Sequence, residues 1–287
     1  MMAMSARRAL HVGIAAALVV GALPAAAQTA DGGTEASSVD SIAFPFAPPL
    51  DTPLRLRVER AQLARDGSFY NFTATYIIRF EPAGRGFYLT SRLIDLQSDA
   101  PPVLASVFGG LMAPLKGVDT VYLVAADGSS LDLADGADLW AQLRLAEAAN
   151  VEGGSRAEAQ TLVGTLLALS PAQREDMLAM DIDVLMAFAG RVAVSGPVID
   201  TEPVGPARQR RVRIDGATAE IDDDARGALA DGNDSTFETR TSWRVSRASG
   251  LLLAEQSETH ARNGRTGASV LQARVLRTLE PASADGK

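Results

Sequence analysis

Few residues in the chain could do chemistry, and His260 is the first to consider. A serine–histidine–acid system needs a nucleophile on a strained turn such as G-x-S-x-G, and the sequence has no such pentapeptide. Cysteine is absent, which removes thiolate nucleophiles, disulfides and cysteine-type zinc sites. A single histidine beyond the N-terminal segment also leaves only carboxylates as metal ligands. We therefore interpret His260 as a solvated histidine toward the end of a strand.

The acidic run Asp222-Asp223-Asp224 invites a calcium interpretation. A calcium-binding EF-hand loop that starts at Asp222 needs Asp or Asn at its fifth position and Glu at its twelfth, where the sequence has Arg226 and Asn233. We expect a solvated hairpin loop here, with no metal and no other cofactor. The geometry of a carboxylate pair that hydrolyses a substrate depends on the fold, so the sequence alone does not exclude such a pair. A carboxylate-based hydrolase would have two acids in one cleft, one of them with a raised pKa.

The first 27 residues have the layout of a secretory signal peptide. Arg7 and Arg8 precede an apolar stretch, and Ala25-Ala26-Ala27 provides a cleavage site before Gln28. A retained membrane anchor is the alternative, but the apolar stretch is shorter than the ~20 residues of a span. Cleavage between Ala27 and Gln28 removes two arginines and no acid, which takes the net charge from −8 to −10. That charge argues against nucleic acid and anionic membrane surfaces as partners.

The elements that position these residues begin and end with strands. Alternating apolar residues predict strands in LRLRVER (54–60) and in YNFTATYIIRF (70–80), whose aromatic side chains share one face. Asp127-Gly128 predicts a hairpin. Three consecutive strands follow from residue 234, joined at Ala248-Ser249-Gly250 and Asn263-Gly264. Phe237, Trp243 and Val245 share a face of the first of these.

Helical signals lie between the two groups of strands, over residues 135–190. Segments 137–150 and 155–169 have helical composition. A third helix begins with Ser170 as N-cap, and Gln173 completes a capping box. Asp181 and Asp183 sit in its apolar half, so we expect a break with one of them as a cap. We predict one α+β domain over 51–280, with this helical insertion as a lid on a curved, half-barrel-like antiparallel sheet. Residues 28–50 are expected to form a flexible leader, and 281–287 a disordered tail.

Apolar residues are more informative than the charged ones. Segment 101–115 has no charge, and three methionines share the helix that follows Ser170. Methionine suits surfaces that adapt to an apolar partner, although it also fills gaps in ordinary cores. Either interpretation stays open. The residues expected to line an apolar site are Phe72, Tyr76, Phe80, Leu104, Phe108, Met112, Met177, Met180, Met186, Phe237, Trp243 and Val245.

The order of strands, mid-chain helices and strands resembles the LolA/LolB and mycobacterial LppX class of envelope carriers. The stretch WRVSRASGLLL, from Trp243 to Leu253, is similar to the strand–turn–strand element of such proteins. The resemblance implies a curved antiparallel sheet closed by helices over a hydrophobic cavity. Without a lipobox cysteine the chain is closer to the soluble carriers of that class than to LolB.

These features favour a non-catalytic, exported protein, periplasmic or secreted, that is not integral to the membrane after cleavage. We expect it to bind an apolar ligand, either a lipid or an acylated protein. The alternative is an interaction module for another envelope protein, with a fully packed core. A carboxylate-based hydrolase is the third hypothesis. The sequence leaves open whether the expected concave face is a cavity or a core.

Overall fold

Thirteen strands account for most of the described part of the chain. The computed structural model describes residues 41–64, 66–101, 105, 112, 115–134, 136, 170–194, 196–200, 207–228 and 235–282, and only the backbone at 171, 172, 174, 177, 194 and 196–200. The strands are β1 (Ser41–Ala43), β2 (Leu54–Leu63), β3 (Phe69–Ala83), β4 (Gly86–Ser98), β5 (Asp119–Val124), β6 (Leu131–Leu133), β7 (Val192–Val194), β8 (Gly196–Asp200), β9 (Ala207–Asp215), β10 (Thr218–Ala228), β11 (Thr236–Ser246), β12 (Leu252–Arg262) and β13 (Ser269–Pro281).

Eleven of these strands form one antiparallel sheet, in the order β6-β5-β4-β3-β2-β13-β12-β11-β10-β9-β8. The predicted antiparallel meander is confirmed on both sides of its centre, where the pairing of β2 with β13 joins the first and last thirds of the chain. Its two edge strands, β6 and β8, do not pair with each other, so the sheet is not closed. The hairpin at Asp127-Gly128 is confirmed, with Gly128 at φ +74°.

Helix α1 spans Pro171–Asp183 and continues as a short 3-10 helix over Val184–Met186. The predicted capping box is confirmed, because the Ser170 hydroxyl accepts from the Gln173 amide and the Gln173 side chain accepts from the Ser170 amide. The α-helix ends at Asp183, where the sequence predicted a break. Neither aspartate acts as a side-chain cap, since Asp183 makes no capping hydrogen bond and Asp181 binds arginines. The helices expected over 137–150 and 155–169 lie outside the described residues.

Residues 41–50 were expected in the flexible leader, and this is wrong. Strand β1 pairs with β7, and Phe44 is 1% exposed in the core. The Phe44 amide donates to the carbonyl of Arg191, and the amide of Gly190 donates back to the carbonyl of Phe44. The apolar residues of SIAFPF thus pack inside, although the residues before them are small and polar. Residues 28–40 and 283–287 lie outside the described part of the chain.

The main core lies on one face of the sheet, which we call the inner face. There, Leu56, Phe80 and Val245 are fully buried and pack with Ile182 and Leu185 from α1 and the 3-10 helix. Phe188 connects this core to the N-terminal segment and the sheet, with its ring centroid 6.1 Å from that of Phe44 and 5.4 Å from that of Trp243. Among the described residues, no helix is long and apolar enough to cross a membrane. The described fold is mainly antiparallel sheet with one short α-helix on its inner face.

Candidate functional site

A cluster of four charged side chains lies on the inner face, at the border of the packed core. Asp181 of α1 is bound by Arg60 of β2 and by Arg277 of β13, with 3.0 Å between Arg277 Nη2 and Asp181 Oδ1. The other terminal nitrogen of Arg277, Nη1, donates to Glu255 of β12. The side chains of Asp181, Arg277 and Glu255 are each 10% exposed or less, whereas that of Arg60 is 28% exposed. We call these four residues the charge cluster.

The pKa of Asp181 follows from two opposing effects. Burial alone would raise the pKa of this carboxyl, but the charges and hydrogen bonds of Arg60 and Arg277 outweigh it and hold the pKa below its ordinary value. Burial also opposes the charge of Arg277, yet Glu255 and Asp181 raise its pKa. Asp181 therefore stays ionised at neutral pH. A general acid needs a raised pKa, so Asp181 does not have the property that the hydrolase hypothesis predicts.

Two tyrosines, Tyr76 and Tyr122, lie near Asp181 of the charge cluster. Burial, reinforced by the negative charge of Asp181, raises the pKa of Tyr76 well above its ordinary value. Burial likewise raises the pKa of Tyr122, whose hydroxyl donates to the carbonyl of Leu178 in α1 over 3.0 Å. Both phenols remain neutral. Tyr122 and the ion pairs of Asp181 thus fix α1 to the sheet with polar contacts at the margin of an apolar interface.

A second ion pair, between Arg210 of β9 and Asp223 of β10, lies on the same face. Arg210 Nη2 is 2.9 Å from Asp223 Oδ2, and the Asp223 side chain is 7% exposed. Arg210 Nε and Asp223 Oδ1 are buried without a hydrogen-bond partner in the described chain. The expected hairpin loop at Asp222-Asp223-Asp224 is therefore wrong, because the run lies inside β10. Strand alternation points Asp223 inward and its two neighbours outward, where Asp222 and Asp224 meet arginines.

Beyond the two sets of ion pairs, the inner face becomes half-buried. Along β11, Val245 is fully buried, whereas Trp243, Thr241, Thr239 and Phe237 have intermediate exposure. The same change occurs on β3, β12 and β13. We call this region the half-buried surface, and its residues are Phe237, Thr239 and Thr241 of β11, Ser257 and Thr259 of β12, Ala273 and Val275 of β13, and Tyr70 and Phe72 of β3.

Hydroxyl groups run along the middle of the half-buried surface in cross-strand pairs. The hydroxyl oxygens of Thr239 and Thr259 are 3.1 Å apart, and those of Thr241 and Ser257 are 3.0 Å apart. Aromatic side chains lie on either side of these pairs. Phe237 leans over Gly227 of β10, where an added Cβ would lie 2.5 Å from Cε1 of the ring. Tyr70 and Phe72 contact each other edge to face, with ring centroids 5.4 Å apart.

The expected lining residues divide between core and surface. Phe80, Met186 and Val245 lie in the packed core, and Met180 of α1 is 37% exposed. A further set has intermediate exposure on the inner face: Phe72, Tyr76, Phe237 and Trp243. Met112 packs against a smaller cluster of Ala74, Leu93 and Leu115. Leu104 and Phe108 lie outside the described residues, as does the side chain of Met177.

His260 lies on β12, with Nε2 3.6 Å from a carboxylate oxygen of Glu258 and a side chain that is 31% exposed. This placement fits the interpretation of His260 as a strand histidine in contact with solvent. Within the described part of the chain, no group of three or more His, Asp or Glu side chains is arranged to hold a metal ion.

The charge cluster was missed at the sequence level, although the sequence carries a signal for part of it. In strands of period two, Arg60 and Arg277 fall in the same phase as buried apolar residues such as Val58 and Leu279. A charged residue in the buried phase must be paired to be tolerated. Two such arginines on the paired strands β2 and β13 indicate that buried acids lie near them, but Asp181 comes from a helix and no spacing connects it to them.

No family model matches the chain, and no curated protein matches it. Two solved structures are similar to it at low level. One is Rv2717c from M. tuberculosis, at 9% identity over 80% of this chain and 91% of that chain, with a TM-score of 0.22. The other is an AttH candidate from Nitrosomonas europaea, at 9% identity over 82% of this chain and 53% of that chain, with a TM-score of 0.18. At these TM-scores neither likeness carries a conclusion about function.

Proposed function

We propose that the protein binds an apolar or amphipathic ligand, a lipid or the acyl group of a modified protein, on the half-buried surface and does no chemistry on it. The observation that carries this proposal is the change in burial along β11, from Val245 at 0% exposure to Phe237 at intermediate exposure on the same face. The aromatic and aliphatic side chains of the half-buried surface keep part of their apolar area in contact with water, and a bound ligand would cover that area. Each Å² of apolar area buried contributes about 25 cal/mol.

Curvature of the sheet around this surface is part of the proposal. Sheets of about ten or more strands tend to curl, and β-bulges bend the strands that carry them. Register shifts lie between Thr75 and Tyr76, between Arg244 and Val245, and between Thr259 and His260. These shifts support a half-barrel that curls around the inner face, with the mid-chain helical region as its lid. A ligand would then lie between the sheet and that lid.

Export to the periplasm or beyond is the setting that the N-terminal sequence supports, and it fits a carrier of apolar cargo between membranes. Likeness to the LolA/LolB/LppX class stays a prediction. The alternative function is docking to an envelope protein with a packed interior, and the burial of Phe80, Met186 and Val245 favours it. The two differ in whether a small apolar molecule accompanies the purified protein.

Native mass spectrometry and solvent extraction of the purified protein test the proposal, together with titration of a neutral fluorescent probe such as N-phenylnaphthylamine. We expect a bound lipid and saturable probe binding. Phe237→Ala should weaken probe binding at least about fivefold, since it removes a phenyl contact worth about 1 kcal/mol or more. Tyr88→Ala is the matched control, because Tyr88 is an aromatic residue 42% exposed on the outer face. A lipid-free protein that does not bind the probe would contradict the proposal and favour the docking function.

A further inference from the structure

Most charges of the described inner face are paired with one another. Arg60 and Arg277 bind Asp181, and Arg277 also binds Glu255. On the neighbouring strands Arg210 binds Asp223. One more arginine, Arg208, is directed to this face by strand alternation, and its cross-strand register partner is Asp200. Among the described side chains, Asp181, Glu255 and Asp223 are therefore each bound by an arginine, and these acids offer no unpaired negative charge to a ligand.

The hydroxyl pairs of the half-buried surface are neutral and can both donate and accept. A hydroxyl has one hydrogen to donate and two lone pairs. Within the Thr239–Thr259 pair and the Thr241–Ser257 pair, one hydroxyl hydrogen is used between the partners. Each pair keeps a second hydrogen and further lone pairs for another molecule. A ligand with a hydroxyl, ester or amide group would match this row, and its apolar part would lie on Phe237 and the aromatic residues of β3.

We propose that the ligand of the half-buried surface is an uncharged amphiphile, held through a hydroxyl, ester or amide group by Thr239, Thr241, Ser257 and Thr259. This inference rests on the proposed function and adds the chemical class of the ligand. A carboxylate or ammonium head group would lose its hydration beside these uncharged hydroxyl groups. At the charge cluster it would gain a counter-ion only by taking Arg60 or Asp181 from an existing ion pair, and removing one partner from such a pair leaves an uncompensated charge.

A matched series of sixteen-carbon ligands tests the inference by displacement of the neutral probe at pH 7.5. The series contains hexadecanol, methyl hexadecanoate, hexadecanoic acid and hexadecylamine, with hexadecane as the apolar reference. We expect the alcohol and the ester to displace the probe at concentrations about tenfold lower than the acid and the amine do, because the charged heads are desolvated without compensation. Arg60 is the most accessible cation of the charge cluster and is the group most able to bind the acid. The comparison of the alcohol with the acid is therefore a stricter test than the comparison of the alcohol with the amine.

A pair of valine variants tests whether the hydroxyl row is responsible. Thr241→Val removes one hydroxyl with little change in shape, and we expect it to lower the preference for hexadecanol over hexadecane about fivefold, as the loss of one hydrogen bond would. Thr278→Val is the control, since Thr278 is exposed on the outer face of β13. Thermal unfolding confirms that both variants fold.

The possible outcomes separate this inference from the function on which it rests. If the acid or the amine binds as tightly as the alcohol, or if Thr241→Val leaves the preference unchanged, the inference is wrong and ligand binding stands. If no member of the series displaces the probe because the probe itself does not bind, both are wrong. A preference for the alcohol that falls in Thr241→Val and not in Thr278→Val supports both.

Discussion

Asp181 Oδ1 lies 3.0 Å from Arg277 Nη2, so a helix and a strand that are 96 residues apart in the chain meet in a buried ion pair. The same oxygen is bound by Arg60, which comes 121 residues earlier. One carboxylate therefore connects α1 to β2 and β13, the two strands that join the first and last parts of the sheet. The position of the helix on the inner face depends on this contact as well as on apolar packing.

Asp181→Asn should destabilise the protein strongly. The substitution keeps the size of the side chain but leaves Arg60 without its acidic partner in the described chain and Arg277 with Glu255 alone. Removal of one partner from a buried ion pair costs about 3–5 kcal/mol of unfolding free energy. Urea denaturation followed by tryptophan fluorescence measures the change. Asp183→Asn is the control, because Asp183 makes no ion pair in the described chain, and we expect a change below about 0.5 kcal/mol. Equal effects of the two substitutions would contradict the role given to Asp181.

The advantage of the wild type over Asp181→Asn should depend on pH. The carboxyl titrates near 3.8 when unfolded and lower in the native protein. Its contribution is therefore complete above the unfolded pKa and is lost as the pH falls through the native pKa. Urea midpoints of both proteins at pH 7, 5 and 3 measure the difference. We expect similar differences at pH 7 and 5 and a smaller one at pH 3. A difference that grows on acidification would mean that the pKa is raised in the folded state.

Local signals predicted the strands and turns well, and long-range contacts account for what they missed. The capping box at Ser170 and the turn at Asp127-Gly128 depend on neighbours in sequence, and both are confirmed. The half-buried surface follows from alternation on β3 and β11, but its degree of burial depends on which segments pack on it. The partners of Asp181 are more than ninety residues away, and no local pattern encodes such a pairing.

Residues 41–50 are a second case in which local sequence patterns did not predict a long-range contact. The polar, glycine-rich residues before them favoured a flexible leader through to residue 50, yet Phe44 and Phe46 carry apolar area that the core accepts. Phe44→Ala should cost about 3–5 kcal/mol, as other large-to-small core substitutions do. Phe69→Ala is the control, since Phe69 is 42% exposed, and it should cost less than about 1 kcal/mol. Chemical denaturation measures both. A small effect of Phe44→Ala would mean that residues 41–50 belong to a flexible leader after all.

Gly250→Ala tests where that segment lies. Gly250 has φ +70°, and a Cβ there would lie 2.3 Å from the carbonyl oxygen of Pro45. The amide of Ala47 also donates to the carbonyl of Ser249, so the turn and the segment are in direct contact. The substitution must strain the backbone and push the segment away from the turn. We expect a loss of stability and faster proteolysis near residue 45.

Gly216→Ala separates the two effects, because Gly216 has φ +54° and nothing lies within 4 Å of an added Cβ. It should show the conformational cost alone, about 1–2 kcal/mol. Gly250→Ala adds a clash with backbone atoms, which cannot move as the end of a side chain can, and should cost at least about twice as much. If the two variants lose the same stability in urea, Pro45 does not lie against Gly250. If only Gly250→Ala speeds cleavage near residue 45, the segment is held in place by the turn before β12.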